Sequence, residues 1–170
     1  AAKQMGVSTK SASRCFDELE YLNIDVLGMK GKSRVINIPD DREQLWQRIE
    51  NVLRNPVIRR FVLREDMKLE KKAGISALCE YSLLSDNVYP TYAVTKRELK
   101  DSGVKVEKQV SELEEIGCVV LELGYFIDFL GKGFQDPLSV VLSFTGEEQE
   151  DERIDISINE MLEEYVWSKD

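Results

Sequence analysis

The sequence predicts an α+β protein with two domains, on the strength of three observations. Apolar residues recur at helical spacing over residues 9–22 and 151–167, as they do on the buried face of an amphipathic helix. Short runs rich in β-branched residues, of which 57–63 is the clearest, predict strands between the helices. A length of 170 residues suits one small and one medium domain.

The start of the chain predicts two helices separated by a tight turn. Residues 1–5 have the character of a helix end, and Gly6 breaks that helix. Ser8 is a good N-cap for the second helix, over 9–22, which Asn23 can close.

A basic hairpin follows the second helix. Two strand-like runs, 24–27 and 34–38, flank a tip at 28–33 that is rich in glycine and lysine. Helix, turn, helix and hairpin in this order predict a winged helix-turn-helix over residues 1–38, with its first helix missing. Since the chain does not begin with Met, we expect an earlier segment to be absent.

The rest of the chain predicts a connecting helix at 39–55 and a mixed α+β domain at 56–170. Asp40 is the expected N-cap of the connector, and Glu43 is placed for a capping box. In the second domain we predict strands at 57–63, 89–95 and 118–129, helices at 75–84, 137–144 and 151–167, a turn or short helix at 96–101, and an acidic loop at 146–152.

The composition limits the classes of function. The chain has no histidine, which excludes His-based triads and His-containing zinc sites, so we expect no enzyme, no cofactor and no metal. Three isolated cysteines, expected to be small core residues, suit a reducing compartment. No apolar run approaches the roughly 18 residues of a membrane span, and no signal peptide is recognisable. We therefore expect a cytoplasmic protein.

The net charge of −9 is unevenly distributed. Residues 1–38 hold six basic and four acidic side chains, a net charge of +2, and residues 39–170 have a net charge of −11. A DNA-binding module needs only a local basic surface. The charge distribution therefore permits DNA binding by the first domain.

The candidate DNA contacts lie on the second helix and on the hairpin. A recognition helix needs an apolar back and a small or basic front that faces the major groove. On the helix we predict groove contacts from Lys10, Ser13 and Arg14, and phosphate contacts from Thr9 and Ser11. On the hairpin we predict backbone contacts from Lys30, Lys32 and Arg34, whose alternation would place them on one face.

Catalytic interpretations of other polar groups are weaker. Asp151, Glu152 and Asp155 suit a helix start better than a metal site. Ser139 has no histidine partner, and Asp136 with Pro137 is typical of the first turn of a helix.

The segments AAKQMGVSTKSASRCFDELEYLNI and GMKGKSRVINIP resemble the second half of the winged helix-turn-helix of MarR-like transcriptional regulators. The segments AGISALCEYSLLSDNVYPTYAV, DPLSVVLSF and DERIDISINEMLEEYVW are similar to the second domain of abortive-infection antitoxins of the AbiEi type. The resemblance implies transcriptional regulation without a cofactor.

Two functions remain open at this point. The first is a regulator that binds double-stranded DNA sequence-specifically, for which a homodimer would suit paired half-sites. The second is an antitoxin-like interaction module, whose acidic second domain binds a basic, toxin-like partner protein. Charge reversals in the second domain would abolish only the protein complex, whereas loss of Lys10, Arg14 or the hairpin cations would abolish only DNA binding.

Overall fold

The computed structural model describes residues 8–102, 115–124 and 133–168. The chain divides into two compact units, Ala1–Leu53 (unit 1) and Arg54–Asp170 (unit 2). The helix predicted as a connector lies in unit 1. The mixed α+β class is confirmed, while the predicted helix end at 1–5 and the strand residues beyond 124 lie outside the described residues. In the part of the chain described, no helix has the length and apolar character needed to cross a membrane.

Helix α1 (Thr9–Tyr21) begins at the predicted N-cap. The Ser8 hydroxyl accepts a hydrogen bond from the backbone N–H of Ser11 at 3.0 Å, which satisfies one of the first-turn donors that a helix leaves unpaired. Cys15 is exposed on this helix, so its predicted place in a core is wrong.

Asn23 ends α1 in the left-handed conformation, with φ at +52°. The N–H of Ile24 donates to the carbonyl of Leu19 at 3.1 Å, and that of Asn23 donates to the carbonyl of Glu20 at 3.0 Å. These two bonds form a Schellman motif. The predicted role of Asn23 in closing the helix is confirmed.

The hairpin consists of β1 (Leu27–Lys30) and β2 (Ser33–Ile36), paired antiparallel. Its tip is the two-residue turn Gly31-Lys32, in which Gly31 has a φ of +63°. A positive φ at the first central residue alone is the pattern of a type II′ turn, which matches the twist of paired strands. The predicted tip at 28–33 was too long, because one glycine is enough for this turn.

Helix α2 (Arg42–Ile49) continues as a 3₁₀ turn through Val52. Its N-cap is Asp41, which accepts from a first-turn backbone N–H at 2.9 Å. The prediction of Asp40 as the cap was wrong by one residue. Trp46 is the buried side chain of this helix.

Unit 2 contains a three-stranded sheet formed by β3 (Val57–Leu63), β4 (Thr91–Thr95) and β5 (Cys118–Leu123). The spatial order is β3-β5-β4, with β5 antiparallel to β3 and parallel to β4. Every residue of β5 is buried, as expected for a central strand that is covered on both faces. The predicted strand at 57–63 is confirmed at both ends.

The helices of unit 2 are α3 (Gly74–Tyr81), α4 (Lys96–Asp101), α5 (Pro137–Ser143), α6 (Gly146–Gln149) and α7 (Glu152–Leu162), which continues as a π-helical turn through Trp167. Helices α3, α5 and α7 enclose one apolar core centred on Leu78, Val140, Ile158 and Met161. Asp136 caps α5 and Pro137 occupies its first turn, as predicted. Helix α3 ends three residues before its predicted end at Leu84.

A buried glutamine joins three parts of unit 2. The Gln135 side chain is fully buried, accepts from the N–H of Gly74 at 2.9 Å and donates to the hydroxyl of Ser143 at 3.1 Å. Its backbone carbonyl accepts from the Tyr81 hydroxyl at 2.8 Å. Gly74 has a φ of +49°, a left-handed conformation that glycine adopts at little cost.

The segment predicted as an acidic loop contains helix α6. Thr145 and Glu148 form a capping box, in which each side chain accepts from the other residue's backbone N–H, at 3.3 and 2.9 Å. Such a box satisfies two unpaired donors at once. The loop prediction was therefore wrong, because the Thr-x-x-Glu signal outweighs the high charge of the segment.

The charge of Glu148 makes the stability of unit 2 weakly dependent on pH. Burial raises the pKa of Glu148, but the N–H of Thr145 and the guanidinium of Arg60, at 2.7 Å, outweigh it and hold the pKa below its usual value. Charged Glu148 therefore stabilises the fold above its unfolded pKa of about 4.3, and this contribution is lost as the pH falls through the lower folded value.

We expect Glu148→Gln, which can still accept the capping bond, to destabilise the protein by less than about 1 kcal/mol at pH 7. The difference from the wild type should shrink as the pH falls below the unfolded pKa of about 4.3. Urea titrations of both proteins at pH 7 and pH 3.5 measure this, and a difference that persists unchanged at the lower pH would mean that the charge is irrelevant.

Candidate nucleic-acid interface

Helix α1 has an inner and an outer face. Ala12, Phe16 and Leu19 are half-buried, and Lys10 and Arg14 are exposed. At 100° per residue, Arg14 lies opposite the centre of the half-buried stripe, and Lys10 lies one turn before it. The two cations therefore project from the outer face of the helix.

The hydroxyl residues at the start of α1 differ in their contacts. Thr9 and Ser11 are exposed, and the Ser11 hydroxyl lies 2.9 Å from that of Ser8. The first turn of any helix presents backbone N–H groups without intrahelical partners, and these favour a phosphate. Thr9 and Ser11 lie beside those groups.

Arg34 contacts α1 through both terminal nitrogens of its guanidinium. Nη1 donates to Asp17 Oδ1 at 2.6 Å, and Nη2 donates to the Ser13 hydroxyl at 2.7 Å and to the Ser13 carbonyl at 3.4 Å. The guanidinium also lies over the Phe16 ring, 5.2 Å from its centroid. These bonds fix strand β2 to α1, across sequence separations of 17 and 21 residues.

The hairpin cations do not share one face. Lys30 pairs with Ser33, and Met29 pairs with Arg34. Directly paired residues point to the same face and neighbours along a strand to opposite faces, so Lys30 and Arg34 lie on opposite faces. Lys32 lies in the turn and is exposed. The predicted alternation was wrong, because it assumed one continuous strand across the turn.

Lys10, Arg14, Lys30 and Lys32 form no ion pair within the described part of the chain. Arg34 and Ser13 instead bond to each other. Ser13 and Arg34, two of the eight residues predicted to contact DNA, therefore bond across the junction between the helix and the hairpin.

Sequence reasoning did not include Asp17 among the residues of the site. Asp17 follows Ser13 by four residues, so both lie on one side of α1, where the guanidinium contacts them. This spacing is visible in the sequence, although the partner on β2 is not.

The acidic cluster of Asp151, Glu152 and Asp155 lies at a helix start, as predicted. Asp151 caps α7 and bonds to Arg153, and among the described residues no three acidic or cysteine side chains are placed to hold a metal ion. Burial raises the pKa of the Cys79 thiol to about 11, which keeps this thiol protonated and unreactive at neutral pH.

No family model, curated protein or solved structure matches this chain. The residues and their contacts are thus the basis for any functional assignment.

Proposed function

We propose that unit 1 binds double-stranded DNA through a helix and hairpin of the winged helix-turn-helix type, and that the protein regulates transcription without catalysis. In this proposal α1 enters the major groove and the β1–β2 hairpin is the wing. The resemblance of residues 1–39 to MarR-like regulators supports the same function.

One observation carries the proposal. The outer face of α1 presents Lys10 and Arg14 without ion-pair partners in the described chain, and the hairpin that carries Lys30 and Lys32 is held against the same helix by Arg34. Exposed cations on a helix and on an adjacent hairpin are the arrangement that binds a groove together with its flanking phosphates.

The cations divide into two roles. Arg14 extends from the middle of the outer face and can bond guanine O6 and N7 in bidentate fashion. Lys10 contacts the groove beside Arg14, whereas Lys30 and Lys32 neutralise phosphates, with Thr9 and Ser11 donating to phosphate beside the helix start. A second copy of the protein, bound one helical turn away, would read a matching half-site.

We expect the full chain to select a sequence motif from a pool of randomised DNA duplexes, with affinity that falls steeply as salt rises. Lys32→Ala should weaken binding to all sequences and lower the salt slope by about 1, whereas Arg14→Ala should cost about 1–3 kcal/mol of discrimination at one base pair. Inverted repeats in the selected motif would support binding as a dimer.

Lys100→Ala, which removes an exposed cation of unit 2, serves as the charge-matched control and should leave binding unchanged. If the wild type ignores all duplexes even at low salt, the regulator proposal is wrong and unit 1 acts as a scaffold.

The second candidate function is binding of a basic, toxin-like protein by unit 2. It is favoured by the exposed acidic side chains of α6 and α7, namely Glu147, Glu152, Asp155 and Glu160, beside the half-exposed Ile156. Glu152→Lys with Asp155→Lys should abolish such a complex in a co-purification assay and leave DNA binding intact.

A further inference from the structure

Both terminal nitrogens of the Arg34 guanidinium donate hydrogen bonds within unit 1. Nη1 is bonded to Asp17, Nη2 is bonded to Ser13, and the plane lies over Phe16. Only 33% of the side chain is exposed. The bonds to Asp17 and Ser13 engage part of the five N–H donors of the guanidinium, and a phosphate would have to break these charge-assisted bonds to take the same donors.

These contacts join helix α1 to the β1–β2 hairpin, the two elements that would contact DNA at the same time. Arg34 is on β2, two residues after the turn that presents Lys32, and its partners are on α1 beside Arg14. A binding site loses affinity when the supporting residues let the groups that contact the ligand move by about 1 Å. A two-stranded hairpin is also only marginally stable by itself.

We propose that Arg34 is a positioning residue, which fixes the hairpin to helix α1 and does not itself neutralise a phosphate. This inference rests on the proposed DNA-binding function of unit 1. It reassigns one of the basic side chains that the sequence placed at the DNA, and it assigns a role to Asp17, an acidic residue on the DNA-binding helix.

The two roles of Arg34 predict opposite effects of Asp17→Asn. If Asp17 were a bystander, removing its negative charge would strengthen binding to a polyanion. If Asp17 holds Arg34, the substitution loosens the hairpin, and we expect roughly tenfold weaker binding. Glu18→Gln is the matched control, because Glu18 is exposed on the same helix and has no ion-pair partner in the described residues. This control should strengthen binding slightly.

Arg34→Lys gives a second, independent measurement. Lysine keeps the charge but cannot form the planar fork that reaches two partners, so we expect roughly tenfold weaker binding with an unchanged salt slope. A residue that only contacts phosphate would tolerate lysine. Lys32→Arg, the reciprocal exchange at the hairpin tip, should change little.

The experiment measures the affinity of the full chain for one selected duplex at four salt concentrations, for the wild type, these four variants and Arg34→Ala. Urea unfolding of Asp17→Asn, Arg34→Lys and the double variant, each in a Trp167→Phe background and followed by the fluorescence of Trp46, reports the coupling without DNA. We expect the double variant to be no less stable than the weaker single variant.

Stronger binding by Asp17→Asn, or a salt slope lowered by about 1 in Arg34→Ala, would overturn the positioning role, and so would strictly additive stabilities. A wild type that binds no DNA contradicts the proposed function instead. In that case the stability measurements still decide whether Arg34 and Asp17 act together.

Discussion

Leu78→Ala is expected to lower the free energy of unfolding of unit 2 by about 2–5 kcal/mol. Leu78 is fully buried on α3, at the centre of the core that α3, α5 and α7 enclose. The substitution removes three carbon atoms from a packed interior and leaves a cavity that helices fixed at both ends fill only in part. A loss of this size is a large share of the stability of a domain of this length.

The fluorescence of Trp167, which packs against the same core, measures the effect during urea unfolding of the full chain. A Trp46→Phe background leaves Trp167 as the single tryptophan. Leu83→Ala is the matched control, because Leu83 lies five residues later and is 99% exposed. It should change the stability by less than about 0.5 kcal/mol, and equal effects of the two substitutions would contradict this description of the core.

Gln135→Leu is expected to destabilise unit 2 by about 1–3 kcal/mol, although leucine is apolar and similar in size. The substitution removes the acceptor of the Gly74 N–H and the donor to Ser143. Ser143 keeps its bond to the carbonyl of Ser139, at 2.7 Å, so the main cost is the buried and unpaired N–H of Gly74.

The exposed Gln149 provides the matched control for this substitution. Gln149→Leu makes the same chemical change and should leave the urea midpoint within experimental scatter. If Gln135→Leu matched the wild type in stability, the Gly74 N–H would have to find another acceptor, and the glutamine would not be the link between the start of α3 and the segment before α5.

Local signals explain most of what the sequence predicted correctly. Ser8, Asn23 and Asp136 act within four residues of their own positions, so a helix start or end can be recognised without knowledge of the fold. The same kind of signal, Thr145 with Glu148, indicates α6, although the high charge of the segment favoured a loop.

The candidate site depended on information that local patterns do not contain. On one continuous strand, the spacing of Lys30, Lys32 and Arg34 would place all three side chains on the same face. The turn at Gly31 instead puts Lys30 and Arg34 on different strands, with their side chains on opposite faces. The partners of Arg34 are distant in the chain, and a single sequence gives no signal for a contact of that range. The exposed cations of α1 were predictable, because helical periodicity alone separates its two faces.

The strand order of unit 2 has a consequence for synthesis of the chain. The central strand β5 is translated last, after both strands that flank it, and its pairing with β3 joins residues as far apart as Val57 and Leu123. Until residues 118–123 leave the ribosome, β3 and β4 lack the strand that pairs with each of them here. A ribosome that pauses before this point therefore holds a nascent chain whose β3 and β4 edges facing β5 are open, the type of intermediate that chaperones bind.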